Sequence, residues 1–517
     1  MPSTDRAVQT RRANVDTDVI VVGAGPTGLL LAGELRLAGA DVVVLEQLPE
    51  PTGQSRGLGF TARAMETFDQ RGLLAAVGGL EQSPMGHFGG LLFDYTVLED
   101  CHFGARGVPQ SQTEAALERW AGGLGADIRR GWTVTGLDDD GTGVAVTARL
   151  CGGEKVLRAR YLVGCDGGHS IVRKLAGFEF PGTAGTLGMY LADVVGCDIA
   201  PRPFGERLPG GMIMAMPLAP GVDRVVVCEH ETPVVQRGTE IGFAELAAAW
   251  ERITGQSIAH GRAAWASSFS DATRQAAEYR RGRVFLAGDA AHIHLPAGGQ
   301  GLSTGVQDAA NLGWKLGAVV RGSAGPELLD TYHDERHPVG ARLLDNTRVQ
   351  GMLYITGAEA DPLRELFTEL IAYDDTKRYL AGAVSGLDIR YESNPSAHPL
   401  QGRRIPPRPV RTSNGPTTTT ELLHPARGVL LDLVGDSALQ DAAAPWRDRV
   451  TAVGAELSER RGLEDVTAVL IRPDGYVAWA AAEQRDRTAL TAALRRWFGP
   501  ADGVARAGAA TVGEALR

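Results

Sequence analysis

Apolar and polar positions alternate along the first fifty residues in a way that defines a single unit. A short β-rich run, DVIVV from Asp18, gives way to Gly23-x-Gly25-x-x-Gly28. A helix-period segment follows, and then a second apolar run closes on Glu46. Strand, tight turn, helix and parallel strand in this order predict the βαβ unit that binds a dinucleotide. Gly23 permits the sharp turn, Gly25 lets the backbone approach a pyrophosphate, and Gly28 lets the helix pack closely on the sheet. The helix N-terminus then offers free N–H groups and the positive end of its dipole to the phosphates. Glu46, ending the second strand, is placed to accept hydrogen bonds from a ribose diol.

The pattern then changes several times. After Glu46 comes a loop into an amphipathic helix, with Arg56 set among small residues where it can reach back to a pyrophosphate or simply face solvent. Residues 74 to 108, with Gly89-Gly90 and scattered aromatics, lack clean periodicity and read as an excursion to another part of the molecule. A strong helix follows, with Ala116, Leu117, Trp120 and Leu124 on one face. Alternating runs at 132–137, 144–150 and 155–167 predict an antiparallel appendage returning to a buried strand that ends at Asp166-Gly167-Gly168. From 182 to 270 period two dominates, with one helix near 242–252. Met212, Met214 and Met216 share a strand face, where core packing competes with the wall of a pocket for a flat, bulky ligand. The segment RVFLAGDAAHIHLPAGGQGL then predicts a strand, a Gly288-Asp289 turn, a glycine-rich loop from Pro296 to Leu302 and a long helix beginning near Ser303.

After a proline-rich stretch, HPLQGRRIPPRPVRT, a third unit begins near residue 400. Its strands and helices run β, α, β, β, α, with a hairpin at Pro473-Asp474-Gly475, which points to a thioredoxin-like fold. The last cysteine is Cys228, far upstream, so this unit cannot carry dithiol chemistry. The expected organisation is an α/β chain of three units. A disordered tail covers 1–16 and a Rossmann-like domain 17–181, with 74–108 reaching the second domain. A β-sheet domain spans 182–270, the first domain resumes over 271–399, and the thioredoxin-like unit occupies 400–517.

Composition narrows the function. At 517 residues, with 44% hydrophobic and 22% charged content, the chain is globular in character. A net charge of -10 argues against a nucleic-acid surface. No membrane-spanning run and no apolar secretory core occur, so a cytoplasmic protein is expected. The five cysteines show neither CxxC spacing nor metal-like clustering, so neither a metal nor a disulfide framework is expected. A nicotinamide dehydrogenase would place a catalytic His, Lys or Tyr/Lys arrangement after one βαβ unit. Here a second acidic turn, Gly288-Asp289, instead lies far downstream in the same domain. An aspartate at the end of a buried strand suits ribityl hydroxyls, and the N–H groups opening the next helix suit the flavin pyrimidine, where charge accumulates on reduction. These features point to FAD.

GAGPTG, the DGGHS segment at 166–170 and GDAAHIHLPAGGQGL together resemble the single-component FAD-dependent aromatic hydroxylases typified by para-hydroxybenzoate hydroxylase. The closer resemblance is to aromatic polyketide hydroxylases of actinobacteria, especially angucycline oxygenases, and it runs from about residue 17 to the C-terminus. It implies a flavin domain, a β-sheet substrate domain, a thioredoxin-like C-terminal domain, and NADPH as a transient co-substrate. It also places Glu46 and the neighbouring Gln47 on the adenosine side, Thr27 in the glycine turn and Arg56 on the pyrophosphate side. Gln110 and Asp289 fall on the ribityl region, Pro296 and Gly299, Gln300, Gly301 and Leu302 along the isoalloxazine, and Asp166 in a motif serving both FAD and NADPH. His169 and Ser303 depart from the usual arginine and asparagine. The implied reaction is hydroxylation of a polycyclic aromatic polyketide in antibiotic biosynthesis, with O2 activated as a flavin C4a-hydroperoxide. No side chain is assigned as catalytic base; His292 and His294 are candidates to tune a phenol proton, His294 with the methionines at the pocket. A Baeyer–Villiger oxygenase, or a flavin-binding protein or reductase without oxygenation, remains as an alternative, and a homodimer is left open.

Overall fold

The computed structural model describes residues 15–78, 82–230, 232–235, 241–391, 397–482 and 487–501. Nearly all of the expected tail, 1–16, therefore lies outside the described residues. The chain begins with β1 (Thr17–Val22), whose six residues are all buried, because neighbouring strands and helices cover both its faces. Helix α1 (Pro26–Leu37) starts with Pro26 in the first turn, where a missing N–H costs nothing, and β2 (Val42–Glu46) returns parallel to β1. The segment 74–108 contains a hairpin of β3 (Met85–Phe88) and β4 (Leu91–Asp94), and α2 (Gln110–Gly123) leads to β5 (Asp127–Arg130). An antiparallel meander of β6 (Thr133–Asp139), β7 (Val144–Leu150) and the long β8 (Gly153–Gly164) re-enters the sheet parallel to β1.

The second sheet is antiparallel and formed by β9 (Gly188–Val195), β10 (Arg202–Leu208), β11 (Gly211–Ala219), β12 (Val222–Glu229) and β13 (Arg262–Ser270), in the order β10-β11-β12-β9-β13. Helix α3 (Phe243–Thr254) packs Leu246, Ala249 and Trp250 against Ile213, Ala215, Val225 and Val227. Since side chains alternate along a strand, Met212, Met214 and Met216 face the other way, towards the first domain. Strand β14 (Val284–Leu286) then joins the first sheet, whose parallel strands run in the order β14-β8-β1-β2-β5, with the short strand Arg280–Arg281 antiparallel at its edge.

Helix α4 is Gln300–Val320, starting three residues before the expected position near Ser303. Gly298 and Gly299 both have positive φ, 69° and 64°, and this left-handed pair makes the break that lets the helix start at Gln300. Three further helices follow: α5 (Asp330–Ile355), α6 (Asp361–Leu370) and α7 (Asp374–Ser385). The hairpin 85–94 packs on their ends, with Phe88, Phe93 and Tyr95 against Leu353, Leu380 and Val384.

The last unit carries an extra hairpin, β15 (Pro409–Thr412) and β16 (Gly415–Thr418), ahead of β17 (Gly428–Asp432), α8 (Ser437–Ala443), β18 (Val450–Leu457), β19 (Ala468–Ile471), β20 (Val477–Ala481) and α9 (Arg487–Phe498). The order is therefore β, α, β, β, β, α after the hairpin, one strand more than expected. Its core sheet pairs β17 with β18 in parallel and β17 with β19 antiparallel, with β20 beyond β19. The proline-rich stretch before it is not a free linker. Ile405 is buried, Arg404 pairs with Glu66 at 2.8 Å and Arg408 pairs with Asp100, because extended backbone there carries its side chains into the inter-domain seam.

The seam is charged and buried. Arg472 bridges Glu335 and Asp474, Lys315 meets Glu335 at 2.7 Å, and Arg71 pairs with Glu34 while donating to the Leu423 and Pro473 carbonyls. The turn at Pro473-Asp474-Gly475 is thus a plug inserted into the first domain.

Candidate active site

Three turns converge on the carboxyl ends of the parallel strands, the place where open α/β sheets bind ligands. In the first, a Cβ on Gly23 or Gly28 would collide with backbone, that of Cys165 and Gly23 respectively, whereas a Cβ on Gly25 would meet nothing within 4 Å. The outer two glycines serve close packing and the middle one faces open space that a pyrophosphate can enter. Thr27 lies against Gly288 and Gly305, joining this turn to the second half of the domain. Glu46 reaches back, accepting from Ala24 N–H at 2.8 Å and Leu48 N–H at 2.9 Å, so its carboxylate stands at the mouth of the turn. Gln47 is exposed beside it.

In the second turn Asp166 accepts from the N–H groups of Ile171 (2.6 Å) and Val172 (3.1 Å), capping the short helix Ile171–Leu175 together with Ser170. Its other oxygen, Oδ1, is buried and has no partner among the described residues, and burial pushes the carboxyl pKa up. The local capping role was not visible in the motif.

The third turn follows β14. Asp289 is exposed between the buried Gly288 and Ala290, so its carboxylate faces out of the turn. The protein packed around the turn desolvates this carboxyl and pushes the pKa up, opposed by His292 and by Arg56, whose exposed side chain stands within electrostatic reach. Gly57 N–H donates to Gln110 Oε1 at 3.0 Å, and Leu302 touches the same glycine, so Arg56, Gln110 and Leu302 frame one stretch of groove. Pro296 is exposed, and Gly299 also has open space where a Cβ would stand. Gly298 to Leu302 thereby present the N-terminal N–H groups of α4 to the groove. Gln300 is buried and its Oε1 accepts from Asn346, which accepts from Gln350, a row of amides behind the loop. Ser303 is buried, accepting Thr61 N–H at 2.9 Å, so its backbone rather than its hydroxyl is left for a ligand.

The two histidines divide. His292 is buried and bonded to Asp308 at 2.8 Å, out of substrate reach. Asp308 also accepts from Gly288 N–H (3.1 Å) and Arg336 (2.7 Å); against the burial that would raise it, Arg336 and His292 hold its carboxyl down to about 2. This buttress behind the Gly288-Asp289 turn escaped sequence reading, its only signal being an aspartate within a buried helix. His294 is half-buried beside Gly301, and burial brings its pKa down to about 4. As a neutral ring donating from Nδ1 to the Leu295 carbonyl (2.7 Å), it carries a lone pair on Nε2.

Met212 packs with Met189, Leu295, Ala297, Tyr354 and Ile355, which sets the methionine face of β11 against the loop before α4. Met214 and Met216 are half-buried along the same face.

Residues 16–347 match the family model described as FAD binding domain, and residues 398–501 match the aromatic-ring hydroxylase C-terminal domain. The chain belongs to the family of FAD-dependent aromatic-ring hydroxylases. This hydroxylase is similar to CabE, an aromatic hydroxylase from angucycline biosynthesis, at 58% identity and TM-score 0.90 over 94% of this chain and 100% of that one. It is 45% identical to a 12-dehydrotetracycline 5-monooxygenase/anhydrotetracycline 6-monooxygenase of Streptomyces rimosus, over 93% of this chain and 99% of the relative. The Diels-Alderase PyrE3 of pyrroindomycin biosynthesis shares 39% identity with TM-score 0.82, covering 94% and 100% of the two chains. The hydroxylase therefore binds FAD, and the open faces at Gly25 and Gly299 and the groove at Asp289 suit that cofactor. No helix among its described residues is long and apolar enough to cross a membrane.

Proposed function

We propose that this hydroxylase inserts one oxygen atom of O2 into a polycyclic aromatic polyketide of the angucycline type, with NADPH as transient reductant. The observation that carries the reading is the apolar cluster of Met189, Met212, Leu295, Tyr354 and Ile355 beside the loop that opens α4, continued by the half-buried Met214 and Met216 on the same strand face. It suits a flat, multi-ring ligand held beside the flavin, and the likeness to CabE supports the angucycline class.

In this reading the turn at Gly23–Gly28 and the α1 N-terminus hold the pyrophosphate, and Glu46 the adenosine ribose. Arg56, Gln110 and Asp289 hold the central chain, and Gly298–Leu302 the flavin ring. Bound and reduced, FAD supplies the activation of oxygen. The protein's own work is positioning and drying: the thioether and aliphatic wall excludes water, and holding the ring in place removes the entropy of encounter. His294 Nε2, unprotonated at neutral pH, is available to accept a hydrogen bond from a substrate phenol and orient it.

Incubation of the holoenzyme with NADPH, isotopically labelled oxygen and an angular tetracyclic polyketide tests this. The expected product carries one labelled oxygen as a new ring hydroxyl and keeps its ring ketones. A lactone would favour the Baeyer–Villiger alternative, and an isomerised or unchanged polyketide with no label would refute oxygenation.

A further inference from the structure

His87 is the third residue of the hairpin strand β3, one before Phe88 and the Gly89-Gly90 turn, and hydrogen bonds hold this turn in place. Both glycines have positive φ, 56° and 81°. Gly89 N–H donates to Gln350 Oε1 at 3.2 Å, Arg364 donates to the Gly89 carbonyl at 2.9 Å, and Gly90 N–H donates to His87 Nδ1 at 3.2 Å. The last bond decides the tautomer. A ring nitrogen that accepts a backbone N–H carries no proton, so the proton of the neutral imidazole is on Nε2. Burial holds the ring neutral, with its pKa down to about 4. Nε2 has no partner among the described residues and is not sealed from solvent.

Two aromatic rings flank this donor. Phe204 lies with its ring centroid 5.8 Å away at 61°, and Tyr354 at 5.8 Å and 36°. Phe204 sits where the β10–β11 register breaks between Arg202 and Glu206, and such a bulge re-aims a side chain. Gly205, with φ 77°, leaves room for the Tyr354 hydroxyl, which donates to the Phe204 carbonyl. Tyr354 in turn packs with Met212, Leu295 and Ala297, and β3 itself lies against Ala297–Gly299. Three separate elements thus hold one oriented N–H beside the apolar wall and the flavin loop.

We infer that His87 is a substrate-binding residue whose Nε2–H donates to a carbonyl or phenolate oxygen on one edge of the polycycle, with half-buried Phe204 against the rings and Tyr354 packed behind. The inference rests on the polycyclic substrate proposed above. A single fixed donor at the edge of an apolar slot sets which way round a flat molecule enters, because the reversed pose leaves the donor unpaired.

Asparagine reproduces the Nδ1 position, and glutamine the Nε2 position, so the two variants separate hairpin anchoring from substrate contact. The holoenzyme is titrated, by flavin difference spectra, with the angular tetracycle benzanthraquinone and with its oxygen-free counterpart benzanthracene. His87→Asn should weaken quinone binding about three- to tenfold, the loss of one neutral hydrogen bond. His87→Gln should recover most of it, and the hydrocarbon should bind all three proteins alike. Unchanged quinone affinity in His87→Asn, or equal weakening for quinone and hydrocarbon, overturns the inference alone. A wild-type protein that binds neither compound overturns the polycyclic reading and this inference with it.

Discussion

Replacing Arg472 by methionine removes the cation that bridges Glu335 and Asp474 in the seam between the first and last domains. Arg472 is almost fully buried and donates to Glu335 at 2.5 and 2.9 Å and to Asp474 at 2.5 and 3.0 Å. Without it Glu335 keeps Lys315 (2.7 Å) and Asn311 (2.6 Å), while Asp474 keeps two neutral donors, the Asn311 amide at 3.3 Å and the Tyr476 N–H at 3.4 Å. The four-charge set of Arg472, Lys315, Glu335 and Asp474 becomes net negative inside the protein. Breaking a buried pair in this way costs about 3–5 kcal/mol, a large share of a typical total of roughly 5–15. The domains of a chain this long need not unfold together, so the readout is a melting temperature followed by flavin release and by fluorescence of Trp314 and Trp497, which pack across the seam with centroids 6.4 Å apart. Arg472→Met should melt several degrees below wild type, on the order of 5 °C. Adding Asp474→Asn restores neutrality and should recover part of the loss. A single variant melting with wild type, or a double variant no better than the single, would show that the seam is not held by this charge balance.

Three further outcomes are expected. Asp289→Ala should fold but purify largely colourless, with FAD affinity about ten- to a hundredfold lower, the worth of a charge-assisted hydrogen bond of about 1.5–3 kcal/mol; full flavin occupancy would remove Asp289 from the cofactor site. Gly25→Leu should melt like the cofactor-free wild type yet take up no FAD, since its Cβ meets nothing, whereas Gly28→Ala, blocked by the Gly23 carbonyl, should lower the melting temperature itself. His87 and His294 both stay neutral down to about pH 4, while the unfolded chain gains their protons through its ordinary value near 6.5. The unfolded state therefore binds more protons across this window, and stability falls as pH drops from 6.5 towards 4. His87→Phe should thus melt closer to, or above, wild type at about pH 5 than at about pH 7; a pH-independent difference would contradict the neutral ring.

The sequence by itself determined the features that depend on neighbours in the chain. The βαβ unit from Asp18 to Glu46, the Gly288-Asp289 turn, the period-two sheet and the hairpin at Pro473-Asp474-Gly475 are local, because strand and helix periods and glycine-permitted turns involve residues a few positions apart. Only the tertiary structure decided what those features meet. The packing of Thr27 against Gly288 and Gly305, the Asp308–His292–Arg336 buttress, the burial of the proline-rich stretch and the facing of β11 towards Leu295 all join residues far apart in sequence. Period two puts Met212, Met214 and Met216 on one side but is blind to which domain covers that side. The aperiodic stretch 74–108 shows the limit most clearly. Its short strands borrow their apolar partners from α5 and α7, so it has no pattern of its own, and the orientation of His87 depends on a turn, a bulge and a helix end that meet only when the chain has folded.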